Sequence, residues 1–212
     1  MKLNADFSER VVVRFDETPW VASPAAGVER KLLDRICDEV ARATTIVRFA
    51  PGSAVAAHTH GGGEEYLVLS GVFQDETGDF PVGSYVRNPP TSRHTPAAEE
   101  GAVILVKLHQ FDSDDRTQVH LNTPGRSDEV ILLFRDAREE VRIENWASGA
   151  EVDLDASGGC EVFVIDGGFV QGGDELSRWD WLRLPPGSVF QGVAGAQGAR
   201  VWIKTGHLST LV

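Results

Sequence analysis

Cysteine is almost missing from this chain. Cys37 and Cys160 are the two thiols in 212 residues, too few for a disulfide framework, so a reduced, cytoplasmic protein is expected. Cationic residues are also scarce. Twenty Lys and Arg stand against 32 Asp and Glu for a net charge of −12, and no local basic stripe breaks that balance. Nucleic acid is therefore not an expected partner. Nowhere does an apolar run approach the roughly 20 residues of a membrane span. The opening M-K-L-N-A-D-F-S-E-R lacks the apolar stretch of a secretory signal, so no membrane contact is expected either.

What the chain does have is apolar content, 42%, enough for one large β domain or two modest ones. From Thr44 onward, short β-branched or aromatic runs recur at Thr44–Phe49, Tyr66–Phe73, Ser84–Arg87 and Val103–Leu108. Beyond a polar stretch from Asp112 to Ser127 come Val130–Phe134, Val141–Trp146, Glu161–Ile165, Trp179–Leu184 and Val201–Ile203. Pro51-Gly52, Asn88-Pro89-Pro90 and Pro185-Pro186-Gly187 punctuate them, the pattern of a sandwich or barrel. One segment departs from it. Apolar residues at 32, 33, 36, 37 and 40 have helical spacing and predict a helix over 32–40.

The second half repeats the first. An offset of 185 − 89 = 96 carries Pro89-Pro90 onto Pro185-Pro186, Glu65 onto Glu161, Val68 onto Val164, Gly71 onto Gly167 and Phe73 onto Phe169. One further residue of shift carries Gly101 onto Gly198 and Lys107 onto Lys204. Two copies of one β unit are expected, with a first domain over 1–118 and a second over 119–212.

Chemistry concentrates in G-S-A-V-A-A-H-T-H-G-G-G-E-E-Y-L-V-L-S-G, residues 52–71. His58 and His60 are two apart, so on a strand both imidazoles face one way. Glu64 follows a run of three glycines that lets the backbone turn sharply, and His94 stands in N-P-P-T-S-R-H. Three imidazoles and one carboxylate with no thiolate suit one divalent first-row ion such as Zn, Fe, Mn, Ni or Cu. Each residue also has a plain reading, a surface or structural histidine or a solvated carboxylate beside Glu65. The repeat favours the metal: at offset 96 the four positions become Leu154, Ala156, Cys160 and Phe190, so the second copy is expected to be structural. Tyr66 and Ser70 share strand parity with Glu64 and are pocket candidates, although Tyr66 equally suits a packed core. Arg87 and Arg93 are candidates to neutralise an anionic ligand or to remain surface charges. The acidic turn Asp75–Asp79 reads as a solvated hairpin.

These residues resemble the cupins. G-x5-H-x-H-x3-E-x6-G fits the first cupin motif from Gly52 to Gly71, and the second is met at Gly83, Pro89 and His94, departing at Thr91 (glycine expected) and Ala98 (asparagine expected). More specifically, E-E-Y-L-V-L-S-G-V-F-Q-D-E-T-G-D-F-P-V-G-S-Y-V-R-N-P-P-T-S-R-H-T-P is similar to the ChrR-type cupin-like domain, with the resemblance running over about residues 18–112. It implies an all-β double-stranded β-helix (cupin or jelly-roll barrel), here in two tandem copies, with a metal held by His58, His60, Glu64 and His94. It also implies strands over Val28–Phe49 with a turn near Cys37-Asp38-Glu39, against the local helical pattern. ChrR anti-sigma factors carry a separate zinc-binding helical domain that clamps a sigma factor. Residues 1–43 lack the His/Cys pattern of such a clamp, so sigma-factor inhibition by this stretch is not expected.

Two functions follow. One is a metal-binding bicupin that senses or binds a small molecule or oxidant. The alternative is an Fe(II)-dependent dioxygenase acting on a small ketone or diketone, so whether the chain is an enzyme stays open. An isomerase or lyase has no specific support, and homodimerisation is not decided by the residues.

Overall fold

The computed structural model describes residues 1–38 and 40–209, and its regular structure is β throughout. Among the described residues no helix is long and apolar enough to cross a membrane. Contacts group the chain into two compact units, one of residues 1–5 and 19–124 and the other of 6–18 and 125–212.

The first unit carries a sheet in the order Lys2–Leu3, Val28–Ile36, Arg42–Phe49, Ala102–Leu108, Glu64–Asp75, Ser84–Asn88 and Val119–Asn122. One face of these strands buries Val47, Phe49, Tyr66, Val68, Phe73, Val86, Ile104 and Val106 in a common core. The helix expected over 32–40 is not formed. Val28–Ile36 and Arg42–Phe49 are paired antiparallel strands, as the ChrR resemblance implied. The cause is a bulge: Leu32 faces Thr45 and Asp34 faces Thr44, leaving Leu33 unpaired. An extra residue shifts the period-two alternation by one position, and the shifted apolar positions imitate helical spacing. The Asp34 carboxylate fills the gap by accepting the Thr44 backbone N–H at 2.7 Å. Glu39, in the turn expected at 37–39, lies outside the described residues.

The second unit orders Val130–Arg135, Glu140–Trp146, Ser188–Thr205, Cys160–Gln171, Trp181–Leu184 and Val11–Val13. Val11–Val13 thus adds to the sheet of the second half, with Val11 opposite Arg183. Conversely Val119–Asn122, beyond the expected division at 118/119, pairs with Ser84–Asn88 of the first unit. Trp179 is not on a strand. It sits at φ +71° in the preceding turn, edge-on to Phe15 at 5.0 Å.

One local device recurs in both units. Leu69 is bulged out of its pairing with Ala102–Leu108, and Ile165 out of its pairing with Ser188–Thr205. Each bulge precedes a left-handed glycine, Gly71 at φ +70° and Gly167 at φ +71°. A Cβ there would stand 2.0 Å from the Gly101 carbonyl oxygen and 2.2 Å from that of Gly198, respectively. Backbone dihedral and close approach both demand glycine. Beside each bulge a buried ladder crosses three strands: Arg87 faces Glu65, which faces Lys107, and Arg183 faces Glu161, which faces Lys204.

Candidate metal centre

Short pairings bring the four candidate ligands together. His58–Thr59 pairs antiparallel with Arg93–His94, so that His58 lies opposite His94. The Thr91 N–H donates to the His60 carbonyl and the His60 N–H to the Ser92 carbonyl, each at 2.9 Å. Glu64 begins the strand that runs to Asp75, with Asn88 opposite on one neighbour and Leu108 on the other. Between them the glycine run packs against the chain at 109–111. A Cβ on Gly62 would stand 2.4 Å from His109 Nδ1, and one on Gly63 2.4 Å from the Phe111 ring. Close approach, as much as the turn, therefore explains these glycines. Phe111 is held by the Arg87 guanidinium 4.2 Å over its ring, and Arg87 pairs with Asp115 at 3.0 Å.

Hydrogen bonding fixes how each imidazole presents itself. The Ser92 hydroxyl has one proton, which it gives to the Pro89 carbonyl at 2.6 Å, so it accepts from His60 Nδ1–H at 2.9 Å. His58 Nδ1–H donates to the Ala56 carbonyl at 3.0 Å, and His94 Nδ1–H to Asp75 Oδ2 at 3.3 Å. All three rings then carry their proton on Nδ1, and the Nε2 lone pairs converge. His60 Nε2 and His94 Nε2 are 3.2 Å apart, and each is 3.4 Å from Glu64 Oε2. The four donor atoms lie within 4.8 Å of one another.

Lone pairs facing each other across such distances repel unless a cation lies between them. Ligand atoms about 2.1 Å from a common ion are about 3.0 Å apart at a right angle and about 3.4 Å apart at the tetrahedral angle. The observed 3.2 and 3.4 Å among His60, Glu64 and His94 fall in that interval, so these three fit a divalent ion, and His58 brings the fourth donor atom within 4.8 Å of them. Burial makes the same demand. His60, Glu64 and His94 are buried, and His58 is the most accessible. Desolvation, then the neighbouring His94 and His58, pull the His60 imidazole down to about 3. Desolvation pushes the Glu64 carboxyl up to about 7, opposed by the Asn88 amide and reinforced by Asp75. His94 is lowered too, first by burial and then by His58. The site thus favours neutral imidazoles at His60 and His94, and a positive charge beside Glu64 would let its carboxyl ionise.

Three contributors escaped the sequence reading. Asp75, taken as part of a solvated hairpin, has a side chain only 6% exposed, and its carboxylate orients His94. Its other oxygen is held by the Thr77 backbone N–H at 2.7 Å and by the Thr77 hydroxyl. The D-x-T spacing is the one signal that could have marked it, since it specifies an Asx turn. Ser92 shares strand parity with His94 and orients His60, while Asn88 Nδ2 donates to Glu64 Oε2 at 3.3 Å.

Of the pocket candidates, Tyr66 is buried on the same side of its strand as Glu64, and its hydroxyl has no hydrogen-bond partner among the described residues. Burial, then Glu64 and Asp75, push that hydroxyl well up, so it stays protonated. Ser70 is exposed, because the bulge at Leu69 interrupts the alternation that would turn it inward. Arg87 is fully buried and committed to Phe111 and Asp115, one residue out of phase with Val86 in the inward core. Arg93 is exposed. The departures from the cupin motif also find their places: Thr91 adopts φ +76°, where glycine is unstrained, and Ala98 is buried in the core. In the second unit Leu154, Ala156, Cys160 and Phe190 all lie in one apolar core.

An all-β unit whose interior presents three histidines and a glutamate at these spacings is a cupin. Residues 8–112 match the model of the ChrR cupin-like domain, and that half of the chain belongs to this family. Over 97 residues the sequence is 34% identical to the anti-sigma-E factor ChrR of Cereibacter sphaeroides, covering 46% of this chain and 44% of that protein. The chain thus matches less than half the length of that relative. Among solved structures, a protein of Nostoc punctiforme provisionally assigned as a dioxygenase superposes with a TM-score of 0.76 at 14% identity, over 95% of this chain and 84% of its own. The Escherichia coli pirin YhhW in complex with nickel(II) superposes with a TM-score of 0.72 at 11% identity, over 93% and 99%. At such identities the likeness is one of fold.

Proposed function

We propose that this protein is a metal-binding ChrR-like bicupin that binds or senses a small molecule or oxidant at a centre formed by His58, His60, Glu64 and His94. The observation that carries the reading is the convergence of three Nε2 lone pairs and one carboxylate oxygen, with every Nδ1 already bonded elsewhere. Zn(II), Fe(II), Mn(II) and Ni(II) all suit this donor set. Four protein ligands leave a five- or six-coordinate ion one or two positions for an exogenous ligand. The second unit, whose corresponding positions are apolar, is read as a structural copy over roughly the second half of the chain. Two free cysteines, Cys37 exposed and Cys160 buried, agree with a reducing cytoplasmic setting. A small molecule or oxidant, rather than nucleic acid or membrane, is the partner this reading assigns.

The test is the metal content of protein purified without a metal-binding tag, beside the His94→Ala variant. We expect one divalent ion per chain in the wild type and loss of stoichiometric metal in the variant. A folded wild type that holds no metal when supplied with these ions overturns the proposal. The dioxygenase reading keeps one support, the fold shared with a protein assigned to that activity. In that case iron would supply the redox and Lewis-acid chemistry, while Glu64 and the histidines hold it and Tyr66 faces the substrate. Oxygen consumption by the Fe(II)-loaded protein with a panel of β-diketones decides between the two.

A further inference from the structure

The chain has two tyrosines, and the contrast between them is informative. Tyr85 is fully buried and its hydroxyl donates to Glu65 at 2.6 Å, so this tyrosine serves the scaffold. Tyr66 is 1% exposed, yet its hydroxyl is unbonded among the described residues. Its ring is satisfied: it packs edge-on against Phe73 at 5.0 Å and Phe80 at 6.0 Å, within a cluster of Val68, Val86 and Val106. Phenylalanine would fill that space equally well, and a buried O–H without an acceptor is costly. The residue's direction says what the acceptor belongs to. Tyr66 stands two residues from Glu64 on one strand, on the same face, and Phe73, which its ring touches, leans on His94 with ring centroids 6.3 Å apart.

We propose that Tyr66 anchors the exogenous ligand of the metal centre, donating its hydroxyl proton to an oxygen atom of a small oxygen-donor chelator such as a carboxylate or enolate. The inference rests on the metal-centre reading above. It narrows the ligand class, because a ligand that coordinates through its one available nitrogen lone pair, such as imidazole, offers the hydroxyl proton no acceptor.

The test uses the full chain loaded with Co(II), titrated with acetylacetone, an enolate oxygen donor, and separately with imidazole. Tyr66→Phe is expected to weaken acetylacetone binding about 10- to 100-fold, the effect of losing a hydrogen bond to a charged acceptor, and to leave Co(II) content and imidazole affinity unchanged. In wild-type protein carrying ring-fluorinated tyrosine and loaded with diamagnetic Zn(II) in place of Co(II), acetylacetone is expected to move one of the two fluorine resonances, that of Tyr66, while Tyr85 stays in place. This second measurement stands even if the variant folds poorly. A wild type that takes up no Co(II) defeats the metal-centre reading itself. Three results overturn the anchoring role alone: Co(II)-loaded protein that ignores acetylacetone, a Tyr66→Phe variant that binds it as tightly as wild type, or binding without movement of the Tyr66 resonance.

Discussion

Glu64 should make metal binding proton-linked, and the size of the effect can be worked out. Without a cation its carboxyl is raised from 4.5 to about 7, chiefly by burial. At about 1.4 kcal/mol for each pH unit, ionising it in the folded, metal-free protein costs about 3 kcal/mol more than in water. A cation requires the ionised form, so at pH 5 binding must first remove a proton held roughly a hundredfold in excess. His60 contributes nothing in this window, being neutral above about 3. The part of the apparent affinity owed to Glu64 should rise about tenfold per pH unit from 5 to 7 and flatten above. Titration calorimetry in buffers of different ionisation enthalpy counts the protons released. Wild type should release about one more than Glu64→Gln at pH 5, and the difference should fade above pH 7. Equal release by the two proteins at pH 5 would refute the reasoning.

Stability of the metal-free protein is a poorer readout, because two linkages oppose each other. His60, lowered in the fold, adds stability that is lost as pH falls from about 6.5 towards about 3. Glu64, raised in the fold, subtracts stability as pH rises from 4.5 to about 7. Between 4.5 and 6.5 the His60 and Glu64 slopes oppose each other, His94, also lowered, adds to the His60 side, and only the proton count isolates Glu64.

Two further outcomes follow. Asp75→Ala should lower metal affinity about 10- to 100-fold by freeing the His94 ring. Asp79→Ala, in the same turn but exposed and bonded to Gln74, should not, and competition with a chromophoric chelator reads both. Thr91→Gly should relieve a β-branched residue at φ +76° and raise stability by up to about 1 kcal/mol, the strain removed exceeding the added entropy of the unfolded chain. A melting temperature that falls, with metal content unchanged, would show that the threonine is accommodated without strain.

Much of this protein was legible where a local rule acts alone. The histidine spacing, the glycines and the turn prolines announced the site, because alternation and left-handed turns are decided within a few residues. Bulges limited the rest. At Leu33 an extra residue made a strand look helical, and at Leu69 it turned Ser70 outward although its parity with Glu64 pointed inward. A bulge is set by cross-strand pairing, which a single strand's pattern does not carry. Asp75 was hidden for a related reason. Its turn is local, but its partner His94 is 19 residues away. The pairing of Val11–Val13 was likewise beyond reach, since three valines in a row do not show that their neighbour is Trp181–Leu184.

The second unit supplies the argument for why the first retains its ligands. At the offset that superimposes the two bulges, Leu154, Ala156, Cys160 and Phe190 fill an apolar core, showing that this architecture closes without polar groups in those places. In the first unit the same places hold three imidazoles and a carboxylate, several of them stripped of solvent. Such groups destabilise an interior unless each is paired or bound to a metal. The scaffold has an apolar solution and one unit uses it, so scaffold stability does not account for His58, His60, Glu64 and His94. The Nδ1 partners strengthen the point: Ala56, Ser92 and Asp75 satisfy the outward nitrogens and leave every inward one open. A site whose three imidazoles spend no hydrogen bond on its interior is arranged around something it is meant to receive.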